Sequence, residues 1–211
     1  VIFELDGTIA TTLPLCIAAI REAVEPYAGG PLSDEDISGQ FGPSEEGVVA
    51  ALVPEQYSES LERFFDAYEA LHDQWPDPFS GIKEVLRYLK GQGVFVGMVT
   101  GKGYKSAMMS LEKFGMAGYF DSVKTGSETG CVKAARMEEI MGEHGIAPED
   151  VLYVGDAPGD IAACRRCSVR IAAAAWAPTT DVAVLESLGP DFLFTSIKQF
   201  DDFLRTRLGA A

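Results

Sequence analysis

The chain has 211 residues, 47% of them hydrophobic and 23% charged, enough for one core of ordinary size or one domain with an insertion. Its net charge of −15 argues against nucleic acid and anionic membranes as partners, since both are held through Lys and Arg. No apolar run approaches the roughly 18 residues of a membrane helix, and the four cysteines form no disulfide framework, the pattern of reduced thiols in a cytoplasmic protein.

In chain order, VIFEL (1–5) reads as a buried strand that runs into Asp6-Gly7-Thr8. No strand pattern follows between residues 11 and 77. LPLCIAAIREAVEPYA (13–28) and PEQYSESLERFFDAYEALHDQW (54–75) are amphipathic helices, with two shorter ones at 33–41 and 44–53. Ser33 with Asp36, and Ser44 before Glu45-Glu46, mark N-caps with acidic first turns. Phe64, Phe65, Tyr68 and Leu71 hold these helices to one another, and Trp75-Pro76-Asp77-Pro78 is the return linker. The segment carries two arginines against 14 acidic residues, a net of −12 of the chain's −15.

After it, strands and helices alternate. A helix is expected at 81–93, a strand at 94–99, a helix at 104–115 and a weaker strand at 122–125. Then come a helix at 133–145, a strand at 151–155, a helix at 159–167 and a strand at 169–174. Several helices end at Gly with Lys or His in the last turn. Cys164 and Cys167 fall within one helix, with no second pair and no nearby His, and read as buried thiols. The alternation predicts an α/β fold: a Rossmann-like parallel sheet with helices on both faces. Residues 1–10 and 78–211 would form that core, with 11–77 an inserted all-helical cap.

Ligands of an open parallel sheet sit beyond the carboxyl ends of its strands. Those ends carry Glu4, Asp6, Gly7 and Thr8, then Thr100, Gly101 and Lys102, then Asp156 and Asp160, while Lys133 opens the helix before the last pair. Convergent carboxylates repel unless a cation joins them, and an all-oxygen site with waters suits Mg²⁺. A metal, lysines and helix N-termini make an anion cradle, and a spare carboxylate completes a phosphoryl-transfer constellation.

The ordered set of D-x-D-G-T-like strand end, helical insert, Thr-Gly, Lys and G-D-x-x-x-D resembles the haloacid dehalogenase-like hydrolase superfamily. FSGIKEVLRYLKGQG before VGMVTGKG, and EDVLYVGDAPGDIAAC, resemble its phosphoglycolate phosphatase and β-phosphoglucomutase branch. The resemblance implies a Mg²⁺-dependent phosphatase of a small phosphorylated metabolite, working through an acyl phosphate as a monomer or homodimer. It implies Glu4 as nucleophile and Asp6 as acid and base. Thr100 and Lys133 would hold phosphoryl oxygens, beside Gly7, Thr8, Gly101 and Lys102. Glu4, the Asp6 carbonyl and Asp156 would bind the metal, with Asp160 supporting it.

At one position the chain departs from the family, which has Asp where Glu4 stands. The added methylene moves the carboxylate by about 1 Å, and misplacement of that order costs about 10²-fold in rate. A non-catalytic phosphate- or metabolite-binding protein derived from a phosphatase, and a sugar-phosphate mutase, are therefore the alternatives. The insert's two bases, Arg21 and Arg63, both have acidic neighbours one helical turn away. A neutral or cationic leaving group is expected rather than a carboxylate.

Overall fold

The computed structural model describes residues 1–75 and 78–209. Pro76 and Asp77 of the expected return linker lie outside the described residues, as do Ala210 and Ala211 at the end of the expected core. Six parallel strands form one sheet: β1 (Ile2–Phe3), β2 (Gly97–Val99), β3 (Ser122–Lys124), β4 (Leu152–Gly155), β5 (Arg170–Ala174) and β6 (Phe192–Phe194). Their spatial order is β3-β2-β1-β4-β5-β6, so β1 is central and the winding reverses beside it, between β1 and β4.

β1 is shorter than the five residues expected, although Glu4 N–H still donates to Val154 O at 2.9 Å. It alternates strictly. Ile2 faces one side of the sheet with Val99, Tyr153 and Ile171, and Phe3 faces the other with Met98, Val154 and Ala172. Both sides are covered by helices. On the Phe3 side lie α5 (Ile82–Gly91), α6 (Tyr104–Lys113) and α10 (Ile197–Leu208), through residues such as Leu86, Leu111 and Phe200. On the Ile2 side lie α7 (Lys133–His144), α8 (Pro158–Arg166) and the short α9 (Val182–Ser187), through Met137, Ile161 and Leu185. Gly145, with φ +63°, stops α7 where the sequence places its end. Cys164 and Cys167 are buried free thiols. The strand β6 and helices α9 and α10 are not among the expected elements. The apolar run at β6 is only FLF, bounded by Asp191 and Thr195.

Residues 11–75 hold helices and no strand of the sheet: α1 (Leu13–Val24), α2 (Asp34–Ser38), α3 (Glu45–Leu52) and α4 (Tyr57–His72). α1 stops four residues before the expected end because Pro26 has no N–H to continue it. Ser33 accepts from Asp36 N–H and Asp36 answers to the Ser33 backbone, a full capping box. Ser44 occupies the N-cap of α3, but its hydroxyl makes no capping bond. These helices enclose their own apolar cluster, including Leu15, Ile20, Val48, Phe64 and Tyr68. The chain returns beside the point where it left, with Phe79 N–H donating to Ile9 O at 2.9 Å.

One seam between the helical segment and the sheet-bearing part is polar and buried. Tyr68 OH and His72 Nε2, both on α4, lie 2.8 and 3.0 Å from Ser110 Oγ on α6. Burial holds the His72 pKa below its ordinary value. The unfolded chain takes up that proton near pH 6.5, so stability begins to fall below about pH 6.5 and keeps falling until pH reaches the lower pKa of folded His72. We expect the urea midpoint to decline on the acid side, and His72→Gln, which keeps a hydrogen-bonding group but does not titrate, to flatten that decline. Equal slopes in the two proteins would assign the acid sensitivity elsewhere.

Candidate active site

The end of β1 is shaped by one glycine. Gly7 has φ +68°, and a Cβ built there would lie 1.9 Å from Asp156 Oδ2. Only glycine allows this turn while bringing the backbone against the carboxylate at the end of β4. The turn is closed by Gly7 N–H to Ala10 O and Ile9 N–H to Leu5 O, both 2.9 Å. Thr8 is fully buried, its hydroxyl 3.5 Å from Asp156 Oδ1 and its carbonyl accepting from Trp176 Nε1 at 3.0 Å. The end of β2 approaches just as closely. Gly126 has no room for a Cβ, which would meet Gly101 O at 2.1 Å.

Lys133, the first residue of α7, lies between two carboxylates. Its Nζ is 2.5 Å from Glu4 Oε2 and 2.5 Å from Asp160 Oδ1. Glu4 Oε1 accepts from Thr100 Oγ1 at 2.5 Å and from Leu5 N–H at 3.0 Å. Tyr153 OH donates to Val99 O at 2.9 Å and sits 3.3 Å from both Glu4 and Asp160. Asp160 also accepts from Ala157 N–H at 3.0 Å. Burial pushes the Glu4 pKa up against the pull of Lys133. Burial likewise works against the Lys133 charge, but Asp160 and Glu4 outweigh it and hold the ammonium well above its ordinary pKa.

Thr100 and Lys133, the two side chains expected on phosphoryl oxygens, thus both donate to Glu4. The longer glutamate reaches them; its carboxylate rests where two anion donors converge.

Asp6 sits apart from this cluster, accepting from Thr12 Oγ1, with its other oxygen 3.8 Å from Lys102 Nζ. Lys102 has different partners from those expected of a phosphoryl ligand. Its buried ammonium lies 2.7 Å from Glu45 Oε1 and 2.6 Å from Cys16 Sγ, over the Tyr68 ring. Glu45 is 2% exposed and also accepts from Gly103 N–H at 2.6 Å and Ser106 Oγ at 3.0 Å. Burial pushes the Glu45 pKa up, but Lys102 and the Gly103 amide together hold it below the ordinary range.

Among the described residues, Asp156 is the one of these strand-end carboxylates with no cation within salt-bridge distance. Burial raises its pKa to about 8, helped by repulsion from Asp160 and Glu4. A buried carboxylate in that condition is what a divalent cation relieves, and oxygen donors of this kind suit Mg²⁺. Among the described residues, no three His, Cys, Asp or Glu side chains are already gathered as a ligand set. Glu4, Asp6 and Asp160 are each held by protein donors instead.

A single cavity of about 820 Å³ joins Glu4, Asp6, Gly7, Thr100, Gly101, Lys102, Lys133 and Asp156. Thr8 and Asp160 stand behind that wall, holding Asp156 and Lys133. Two participants escaped the sequence reading. Glu45 reads only as one of two acidic residues in a first turn, with nothing to separate it from Glu46. Tyr153 reads as a core residue of LYVG; its hydroxyl leaves no periodic trace.

A family model described as haloacid dehalogenase-like hydrolase matches residues 1–174. The pyrophosphatase PpaX of Halalkalibacterium halodurans is 28% identical over 206 residues, 97% of this chain and 95% of that protein. The pyrophosphatase PpaX of Bacillus cereus is 28% identical over 195 residues, 92% and 90% of the two chains. Among solved structures, a predicted phosphoglycolate phosphatase from Haemophilus somnus superposes with a TM-score of 0.77 at 22% identity, covering 98% of this chain and 96% of that one. A haloacid dehalogenase-like family hydrolase from Streptococcus pneumoniae gives 0.76 at 23% identity, over 96% of each. These two likenesses establish the fold.

The Glu45–Lys102 pair yields a stability prediction. Removing one member of a buried ion pair strands the other, at a cost of about 3–5 kcal/mol. Glu45→Ala should lower stability by that order in urea titration. Glu45→Ala combined with Lys102→Met should recover most of the loss, because the stranded charge is gone. A single variant as stable as the parent would show that the pair is not buried in solution.

Proposed function

The chain belongs to the haloacid dehalogenase-like hydrolase family, and from that premise we propose that it is a phosphatase hydrolysing the phosphomonoester of a small metabolite. The relatives named pyrophosphatase, and a fold neighbour named phosphoglycolate phosphatase, support phosphorus as the reacting centre. The observation that carries the reading is the convergence of Thr100 hydroxyl and Lys133 ammonium on one carboxylate at the end of β1. Residues 1–10 and 78–211 are taken as the catalytic core, and 11–77 as a cap over it.

In this reading Glu4 is the nucleophile. A carboxylate oxygen forms a bond to phosphorus, and the bond from phosphorus to the leaving oxygen breaks. Asp6 delivers its proton to that oxygen, releasing the alcohol and leaving an acyl phosphate on Glu4. Asp6, now a carboxylate, takes a proton from water. The water oxygen attacks phosphorus, phosphate departs and Glu4 is restored. Thr100 and Lys133 turn from Glu4 to the phosphoryl oxygens as charge builds there. Mg²⁺, held by Asp156, Glu4 and the Asp6 carbonyl with Asp160 in support, would add positive charge against the same oxygens. Reduced cysteines and the absence of any helix long and apolar enough to span a membrane among the described residues are compatible with work in the cytoplasm.

The contact of Glu4 with both anion donors also favours a second reading, a phosphate-binding protein whose chemistry is stopped at that residue. The two separate experimentally. With p-nitrophenyl phosphate and Mg²⁺, Glu4→Asp should raise turnover by roughly 10²-fold by retracting the carboxylate from Thr100 and Lys133. Turnover in that variant but none in the parent identifies the second reading. Measurable parent turnover that the variant leaves unchanged or lowers would mean that Glu4 is already a competent nucleophile or does not take part. Asp156→Ala should abolish the Mg²⁺ binding seen by calorimetry.

A further inference from the structure

The cavity is far larger than the phosphoryl site, and its lining is of two kinds. Glu4, Asp6, Lys133 and Asp156 supply charge. Leu13 and Ile17 of α1, Phe41 and Pro43 before α3, Trp75 and Val132 supply an apolar wall. Leu13 is 41% exposed, one of only three large hydrophobic side chains left so open among the described residues, and it opens into this space. A volume of about 820 Å³ is in the range that encloses drug-sized molecules. A diphosphate would leave most of it to water held against apolar walls.

Positive charge is scarce there and already engaged. The lining cations are Arg21, Lys102 and Lys133. Lys133 is held by Glu4 and Asp160, and Lys102 by Glu45 at 2.7 Å. Arg21 bonds Leu32 O at 3.0 Å and pairs with Asp34 and Glu25. A second anion on the substrate would need a base free to receive it. Of the segment's described acidic residues, Asp34 and Glu45 line the cavity, and each is paired with one of these cations; the rest of what it presents there is largely hydrocarbon.

We propose that the apolar wall of the cavity is a subsite for an apolar leaving group, so that the preferred substrate is the phosphate monoester of an apolar alcohol or phenol several carbons across. Pyrophosphate and phosphate esters of hydroxy acids are disfavoured. This narrows the neutral-or-cationic expectation to apolar, and it rests on the phosphatase reading.

Two measurements test the subsite and that reading separately. Binding is read by calorimetry with Mg²⁺ and straight-chain alkylphosphonates from ethyl to octyl, which cannot be hydrolysed. Turnover is read with the matching alkyl phosphates, whose leaving groups differ little in basicity. Full burial of a methylene is worth about fourfold in affinity. We expect the Kd to fall about two- to fourfold per carbon over much of the series, and kcat/KM to rise in parallel. Leu13→Ser should flatten both slopes. Chain-length independence of Kd overturns the subsite. So does phosphoglycolate or pyrophosphate exceeding octyl phosphate tenfold in kcat/KM, with Arg21→Ala removing that preference. Graded phosphonate binding without hydrolysis, in the parent and in Glu4→Asp alike, keeps the subsite and overturns the phosphatase reading instead.

Discussion

Lys133 bridges two of the carboxylates that the sheet topology forces together. A parallel sheet whose winding reverses beside β1 delivers the ends of β1, β2 and β4 to one crevice, and here those ends carry Glu4, Thr100, Asp156 and Asp160. Glu4 is 3% exposed and Asp160 fully buried, so water cannot screen them. One ammonium, 2.5 Å from each, makes their burial tolerable. The arrangement depends on α7 starting at residue 133, since that start sets where the lysine stem enters. Tyr153 closes the cluster from below, its hydroxyl tied to the Val99 carbonyl and so fixed relative to both anions. Asp156 has no salt-bridge partner among the described residues, and burial, helped by repulsion from Asp160 and Glu4, raises its pKa to about 8.

Most of the sheet was legible because its strands are apolar runs bounded by glycine and charge. VFVGMV and VLYVG have no other economical reading in a chain that alternates with amphipathic helices. The strand Phe192–Phe194 was not legible: its apolar run stops at FLF, shorter than VFVGMV or VLYVG, and its partly buried face resembles a loop aromatic cluster. The strand-end residues could be named because carboxylates directly after buried strands need a reason to be there. Their partners could not. Whether Lys102 meets a phosphoryl group or Glu45 depends on where α3 lies against β2, a long-range fact with no local signature. The same holds for His72, whose place against Ser110 follows from the docking of α4 on α6.

Glu45 and Lys102 join the helical segment to the sheet with a fully formed polar contact rather than a greasy one. Each of Gly103 N–H, Ser106 and Cys16 adds to the same carboxylate. Nearby, Ser44 N–H donates to Ser127 O at 2.8 Å, and Gly47 has no room for a Cβ against Glu128 O. Polar contacts of this density are specific in register, because a shift of one residue would strand a buried charge. The register matters for chemistry, since Lys102 is also the nearest cation to Asp6. The carboxylate read as acid and base therefore experiences a charge whose position is fixed from across the seam.

The position of Glu4 makes sense as a consequence of that rigidity. An added methylene in a loose site would be absorbed by a shift of backbone. Here Gly7 is pinned against Asp156 and Glu4 N–H is bonded into β4, so the backbone cannot retreat. The side chain must place its carboxylate farther out, and the first donors it meets are Thr100 and Lys133. Those contacts satisfy a buried charge, which is why glutamate is compatible with the fold. In the proposed function they also engage the two donors assigned to the phosphoryl group, so substrate would have to displace a carboxylate already in place. In a site with fixed walls, one methylene changes the competition for the donors without changing the donors themselves.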